Sequence, residues 1–165
     1  MVMKNMTTFT KWFLLNAVVM TAAFFAETKG AISLMVNNDI SRLTIVIMLL
    51  YVIMSAFVGW LCYLADGASG NNVEDIDTRV ELSRRSEVGW FAAEHFFSLG
   101  LLGTVFGLCV ATATNLDAEA PVSTIVAGLK EGLNTAFYTT ICGIVFSLPL
   151  QVQLMILKYK VGHND

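Results

Sequence analysis

Long uncharged stretches alternate with short polar ones along this chain. Positions 43–64 carry no charged residue, and the run of about 22 residues is enough to cross a bilayer core of roughly 30 Å. A second uncharged run begins at Phe96 and passes through 99–114, and a third covers 132–157. The stretch 12–26 is the shortest, about 15 apolar residues after Lys4 and Lys11. Four membrane-crossing helices are therefore predicted, and the fold class is all-α and polytopic. The long polar stretch lies at 65–88, where Asp66-Gly-Ala-Ser-Gly-Asn-Asn opens as a turn. Beyond Ile76 the composition becomes mixed and suits a helix, so the third helix is expected to start near Val80 and enter the membrane at about Phe96. The fourth is expected from near Ser123 to about Tyr159, some 55 Å at 1.5 Å per residue, overshooting the bilayer into the cytoplasm. Pro149 falls inside it and should kink it.

Three regions follow: a two-span part at 1–64, a polar loop and helix start at 65–88, and a final part at 89–165. Neither an internal repeat nor a low-complexity run is present.

Composition agrees with a membrane protein. Of 165 residues, 56% are hydrophobic and 14% charged, outside the range of a soluble domain. A net charge of −3 offers no basic surface for nucleic acid. Cys62, Cys109 and Cys142 sit singly in apolar runs, with no CxxC or Cys/His spacing, so neither a disulfide framework, a metal site nor a cofactor is expected. Lysine and arginine set the orientation. With both termini inside, Lys4, Lys11, Arg79, Arg84, Arg85, Lys158 and Lys160 are cytoplasmic. Lys29 and Arg42 fall outside, Lys130 near the outer end of the last helix, and the second outer loop holds Asp117 and Glu119. Trp12, Trp60 and Trp90 read as interfacial anchors. The first run also has the layout of a signal peptide, with Ala22, Ala23 and Ala26 as small residues for cleavage; the downstream topology is the same under either reading.

Two of the apolar helices share a second pattern. Gly100, Thr104, Gly107 and Ala111 recur at three- or four-residue spacing, as do Gly132, Ala136, Thr140, Gly143 and Ser147. Small residues at this spacing let membrane helices approach closely. Close packing of a bundle explains the glycines on its own, and a membrane threonine often bonds the carbonyl one turn back. The order of residues carries more. Gly100-Leu-Leu-Gly-Thr-Val-Phe-Gly-Leu108, a short acidic loop with Pro121, and then Gly132 to Thr139-Thr140-Ile-Cys-Gly143 and Pro149 resemble the MotA/TolQ/ExbB proton-channel family, over roughly residues 80–158.

The resemblance implies a ring of identical subunits, a pentamer as in the family, around single-span partners of the ExbD/TolR/MotB kind in a bacterial inner membrane. It implies a stator-like role in a motor complex driven by the proton-motive force. Thr104 and Thr140, with Thr139 and Thr135, would be pore-lining hydroxyls near the partner's membrane aspartate. Gly100, Gly103, Gly107, Gly132, Gly143 and Pro149 would shape the helix walls. One departure stands out: the ExbB branch carries Glu where this chain has Thr135, and Glu131 lies one turn away. A structural scaffold without ion coupling is the alternative; an enzyme is not expected, since no HExxH, membrane Asp pair or Ser/His arrangement occurs.

Charge placement adds an independent constraint. No Asp, Glu, His, Lys or Arg falls in the centre of any predicted span. A hydroxyl can pass a proton but holds no charge near neutral pH, and membrane proton paths rely on ionisable groups. The chain is therefore expected to need a carboxylate from another protein. Glu94 and His95, at the cytoplasmic mouth of the third helix, read either as interfacial anchors or as a proton exit.

Overall fold

The computed structural model describes residues 7–68, 73–115 and 121–162. Lys4 and the acidic pair Asp117 and Glu119 lie outside the described residues. Five helices follow one another: α1 (Thr8–Thr28), α2 (Ala31–Asn38), α3 (Leu43–Gly67), α4 (Val73–Asn115) and α5 (Val122–Gly162). Among the described residues there is no strand. Helices α1, α3, α4 and α5 are each long and apolar enough to cross a membrane, so the all-α architecture with four spans stands.

The short α2 was not expected from the pattern. Gly30, at φ 70°, turns the chain in the left-handed region that suits glycine. Glu27 then accepts from the backbone N–H of Ser33 at 3.1 Å and from its hydroxyl, which holds the turn. Eight residues are too few to register as a span. Helix α4 starts about two turns before the expected position near Val80. Its polar beginning is a helix surface rather than a loop: Glu81 pairs with Arg84 and Arg85, both at 2.8 Å, and the Thr78 hydroxyl donates to the Glu74 carbonyl at 2.8 Å. Pairs at this spacing support a helix.

Helices α4 and α5 form the most extensive interface in the bundle. They run antiparallel in a constant register, from Gly89 against Leu154 to Ala111 against Gly132, roughly six turns of each. At about 1.5 Å per residue each is near 60 Å long, about twice a bilayer core. Helix α5 continues through Pro149 to Gly162. Helix α3 packs on both, and Ile47, Val58, Leu61, Phe96, Leu150, Leu154 and Leu157 form the buried apolar cluster between them.

Helix α1 is apolar on all sides and leaves Phe13, Val18, Met20, Phe24 and Phe25 exposed, as a lipid-facing helix should. Polar contacts tie it to the bundle. At one end, Asp66 of α3 accepts from the N–H groups of Thr8 (2.9 Å) and Phe9 (2.8 Å). A carboxylate there satisfies orphan donors and complements the helix dipole. One to two turns on, Trp12 packs inward against α3. Its ring lies over Gly59, where a Cβ would be 2.5 Å from Cε2. The indole N–H donates to the Ser55 carbonyl (3.0 Å) and to Gln153 Oε1 (3.2 Å). Ser55 Oγ is 2.8 Å from Asn16 Oδ1 and 3.0 Å from Gln153 Oε1. The Gln153 amide nitrogen reaches Tyr51 Oη at 3.3 Å and Asn16 Oδ1 at 3.4 Å. Gln153 is fully buried, so this network joins α1, α3 and α5 away from water.

Truncating its hub should be worse than truncating its edge. Gln153→Leu takes a partner from Trp12 and Asn16 of α1 and from Tyr51 and Ser55 of α3, and a loss of about 1–3 kcal/mol in unfolding free energy is expected. Ser55→Ala removes one hydroxyl and should cost about 0.6 kcal/mol, the average for a membrane side-chain hydrogen bond. Unfolding of each variant in detergent measures both; equal losses would mean that the network is not centred on Gln153.

Candidate functional site

The α4–α5 contact is a backbone contact. A Cβ at Gly100 would lie 2.9 Å from the Thr139 carbonyl oxygen and 3.1 Å from Thr140 Cα. One at Gly143 would lie 2.6 Å from the Phe96 carbonyl oxygen, and one at Gly107 2.5 Å from that of Gly132. At Gly132 it would strike the Ala111 methyl, and at Gly103 it would come within 2.5 Å of Thr139 Cβ. These five positions therefore bring the two helices closer than any larger residue permits, as small-residue membrane interfaces do. Near one end of the same seam, Ser147 donates to the Ala93 carbonyl across the helices at 2.7 Å. The Gln151 amide donates back to Ser147 Oγ at 3.0 Å. The half-buried Pro149 lies between these two residues of α5.

The four threonines of the seam fall into two rows. Thr104 and Thr140 are half-buried and meet hydroxyl to hydroxyl at 2.5 Å. The backbone carbonyls of Gly100 and Ala136 surround them, at 3.2 and 3.3 Å from Thr104 Oγ1 and at 3.3 and 3.0 Å from Thr140 Oγ1. Thr139 and Thr135 are fully buried behind them. Thr139 is 2.9 Å from the Thr135 carbonyl and 3.3 Å from that of Gly100. Thr135 turns away from the seam toward the α2–α3 connection. It accepts from the Ile40 N–H at 3.1 Å and donates to the Asn38 carbonyl at 3.2 Å. The structure thus brings Thr104 and Thr140 together, with Thr139 buried behind them beside the same Gly100 and Ala136 carbonyls, and sets Thr135 apart.

The chemistry of the front pair is limited. Each hydroxyl owns one proton and accepts through two lone pairs. Both protons have acceptors within the group, one on the other hydroxyl and one on a carbonyl, so lone pairs remain for an incoming donor. No ionisable side chain takes part. The Glu94 and His95 side chains are exposed at the polar end of α4, with the His95 ring stacked on Phe91 at 3.9 Å and its Nδ1 2.7 Å from the Phe91 carbonyl. Glu131 is exposed on α5. Among the described residues no three of His, Cys, Asp and Glu gather as a metal site would require.

Sequence reasoning passed over the network of Asn16, Tyr51, Ser55 and Gln153. A signal was present, since Asn16 and Gln153 interrupt runs where an apolar residue costs less. It also passed over Asp39, whose burial only the α2–α3 turn reveals.

Residues 76–164 match the MotA/TolQ/ExbB proton channel family, more than half of the chain. Neither the curated proteins nor the solved structures contain a match.

Because the seam has no room for a Cβ, Gly107→Val should destabilise the chain by about 1–3 kcal/mol, the range for overpacking. Leu101→Val, on the exposed side of the same helix, should change little. Parallel unfolding of the two variants checks this; a tolerated valine at position 107 would show that the helices can separate freely.

Proposed function

As the chain belongs to the MotA/TolQ/ExbB proton channel family, we propose that it is the stator-like channel subunit of an inner-membrane complex driven by the proton-motive force. Five copies form a ring around single-span partner helices of the ExbD/TolR/MotB kind. The partner supplies the aspartate that carries the proton, and the Thr104–Thr140 pair receives that carboxyl group. Thr139 and Thr135, fully buried, brace the wall behind the pair.

The carrying observation is the contact between Thr104 and Thr140 on the family-matched hairpin. Two half-buried hydroxyls face each other there, in a stretch of α4 and α5 with no carboxylate of its own. Such a pair hydrogen-bonds a carboxyl group and stores no charge. A membrane potential supplies about 2.3 kcal/mol per charge per 100 mV for each crossing. The distribution of Lys and Arg supports a bacterial inner-membrane setting with both termini cytoplasmic. Charges on α4 lie in its first half, and Lys158 and Lys160 end α5. The surplus length of both helices accordingly projects into the cytoplasm.

Valine in place of either threonine keeps the shape and removes the hydroxyl. Thr104→Val and Thr140→Val should each leave assembly with the partner intact and lower ion-dependent activity about two- to tenfold, the worth of a hydrogen bond between neutral groups. Co-purification reports assembly, and a transport or motor assay reports activity. Full activity in both variants would favour a scaffold that keeps the fold without coupling ions.

A further inference from the structure

Glu94 and His95 lie deeper in the bundle than the uncharged run of α4 alone indicates. The Ser147 hydroxyl bonds the Ala93 carbonyl at 2.7 Å, and the Phe146 ring packs on Tyr51 with centroids 4.9 Å apart. Ala93 is therefore level with Tyr51, near the middle of the uncharged run 43–64 of α3. A second marker agrees. The Arg85 guanidinium lies 5.8 Å from the Trp60 ring centroid, and a cation beside a tryptophan suits the membrane surface. His95 is ten residues further along α4, about 15 Å at 1.5 Å per residue, or half of a bilayer core.

At this depth the other long helices are uncharged. Helix α1 carries no charge over 12–26 and α5 none over 132–157. Val18, Met20, Leu49, Val52 and Ile53 are exposed there, as a lipid-facing band should be. Helix α4 differs. Glu87, Glu94, His95 and Ser98 are exposed on it, while Gly89, Ala93, Phe96 and Gly100 are buried. Helical spacing puts Glu87, Glu94 and Ser98 on one face, opposite the buried one. Neither ion pair among the described residues includes Glu94, since both belong to Glu81. Ionisable side chains within a membrane face water or protein rather than lipid, and they mark proton paths.

We propose that this face of α4 lines a water-filled space within the complex, and that Glu94 and His95 relay the proton between the Thr104–Thr140 pair and the cytoplasm. The relay rests on the channel reading above; the water-lined face does not. His95 is nine residues from Thr104, with no ionisable group of α4 between them and Ser98 exposed in the gap. That is about 14 Å along the helix, which water on this face bridges. The His95 Nδ1 is 2.7 Å from the Phe91 carbonyl, which holds its proton in place. Nε2 is then the atom that takes up and releases the transferred proton. The Glu94 carboxylate does the same through an oxygen, and only bonds to hydrogen form or break.

Thiol reactivity tests the face, and proton flux tests the relay. A Cys109→Ser background leaves only the buried Cys62 and Cys142. In inverted membrane vesicles, Glu94→Cys and His95→Cys should react with a charged, membrane-impermeant methanethiosulfonate at least about tenfold faster than Val52→Cys, because a thiol in lipid forms little thiolate. Equal rates at positions 94 and 52 overturn the proposal: both fast means that the depth is wrong, both slow that the face is dry. In liposomes holding the complex with its single-span partner, Glu94→Gln and His95→Gln should keep the partner bound. Each should lower proton flux at least about tenfold, below the usual worth of a positioned proton-transfer group. Glu94→Asp, which returns the carboxyl group, should recover the flux. Partner-dependent flux that neither glutamine changes overturns the relay and leaves the channel reading standing. No flux through the unmodified complex overturns the channel reading, and the relay with it.

Discussion

The channel reading of this chain depends on how closely α4 and α5 can approach. In lipid no hydrophobic drive pulls two helices together, so contact must come from shape and from polar groups. Glycine at 100, 103, 107, 132 and 143 removes the side chains that would hold the backbones apart. Only at that separation do Thr104 and Thr140 touch, because a hydroxyl on a short side chain reaches no further. The glycines and the threonines are one device: the first set the distance and the second use it.

The rest of the bundle holds that hairpin still. Helix α3 fills the groove behind it with apolar side chains, and the Gln153 network ties α1 to both. Burying an amide, an indole N–H, a phenol and two small polar side chains is tolerable because each finds a partner. Thr135 belongs to this frame as well, held by the backbone of residues 38–40. The threonines of α5 therefore divide into the fully buried Thr135 and Thr139 and the half-buried Thr140, which spacing alone does not separate.

Much of this architecture was legible beforehand. Uncharged runs of bilayer length announced α3 and α5, and the small-residue spacing of Gly100 through Ala111 announced a tight helix pair. These signals are local and periodic, which is why they survive in a single sequence. The length of α4 was underread by about two turns, since the polar residues before Val80 continue from a turn-like stretch and carry no apolar period to mark a helix start. The seat of Trp12 against α3 was not legible, because the glycine that makes room for its ring lies 47 residues later in the chain. Asp39 was missed for a related reason. Its burial is created by a turn, and its neighbour Thr135 lies across the bundle.

The absence of an ionisable group beside Thr104 and Thr140 gives the account its central claim, that this chain holds half of a proton site. Proton flux into liposomes under an imposed membrane potential measures it directly. The purified chain alone should leave the vesicles proton-tight, and adding a single-span partner with a membrane aspartate should open the flux. Proton flux through the chain alone, at the rate seen with the partner, would contradict the account.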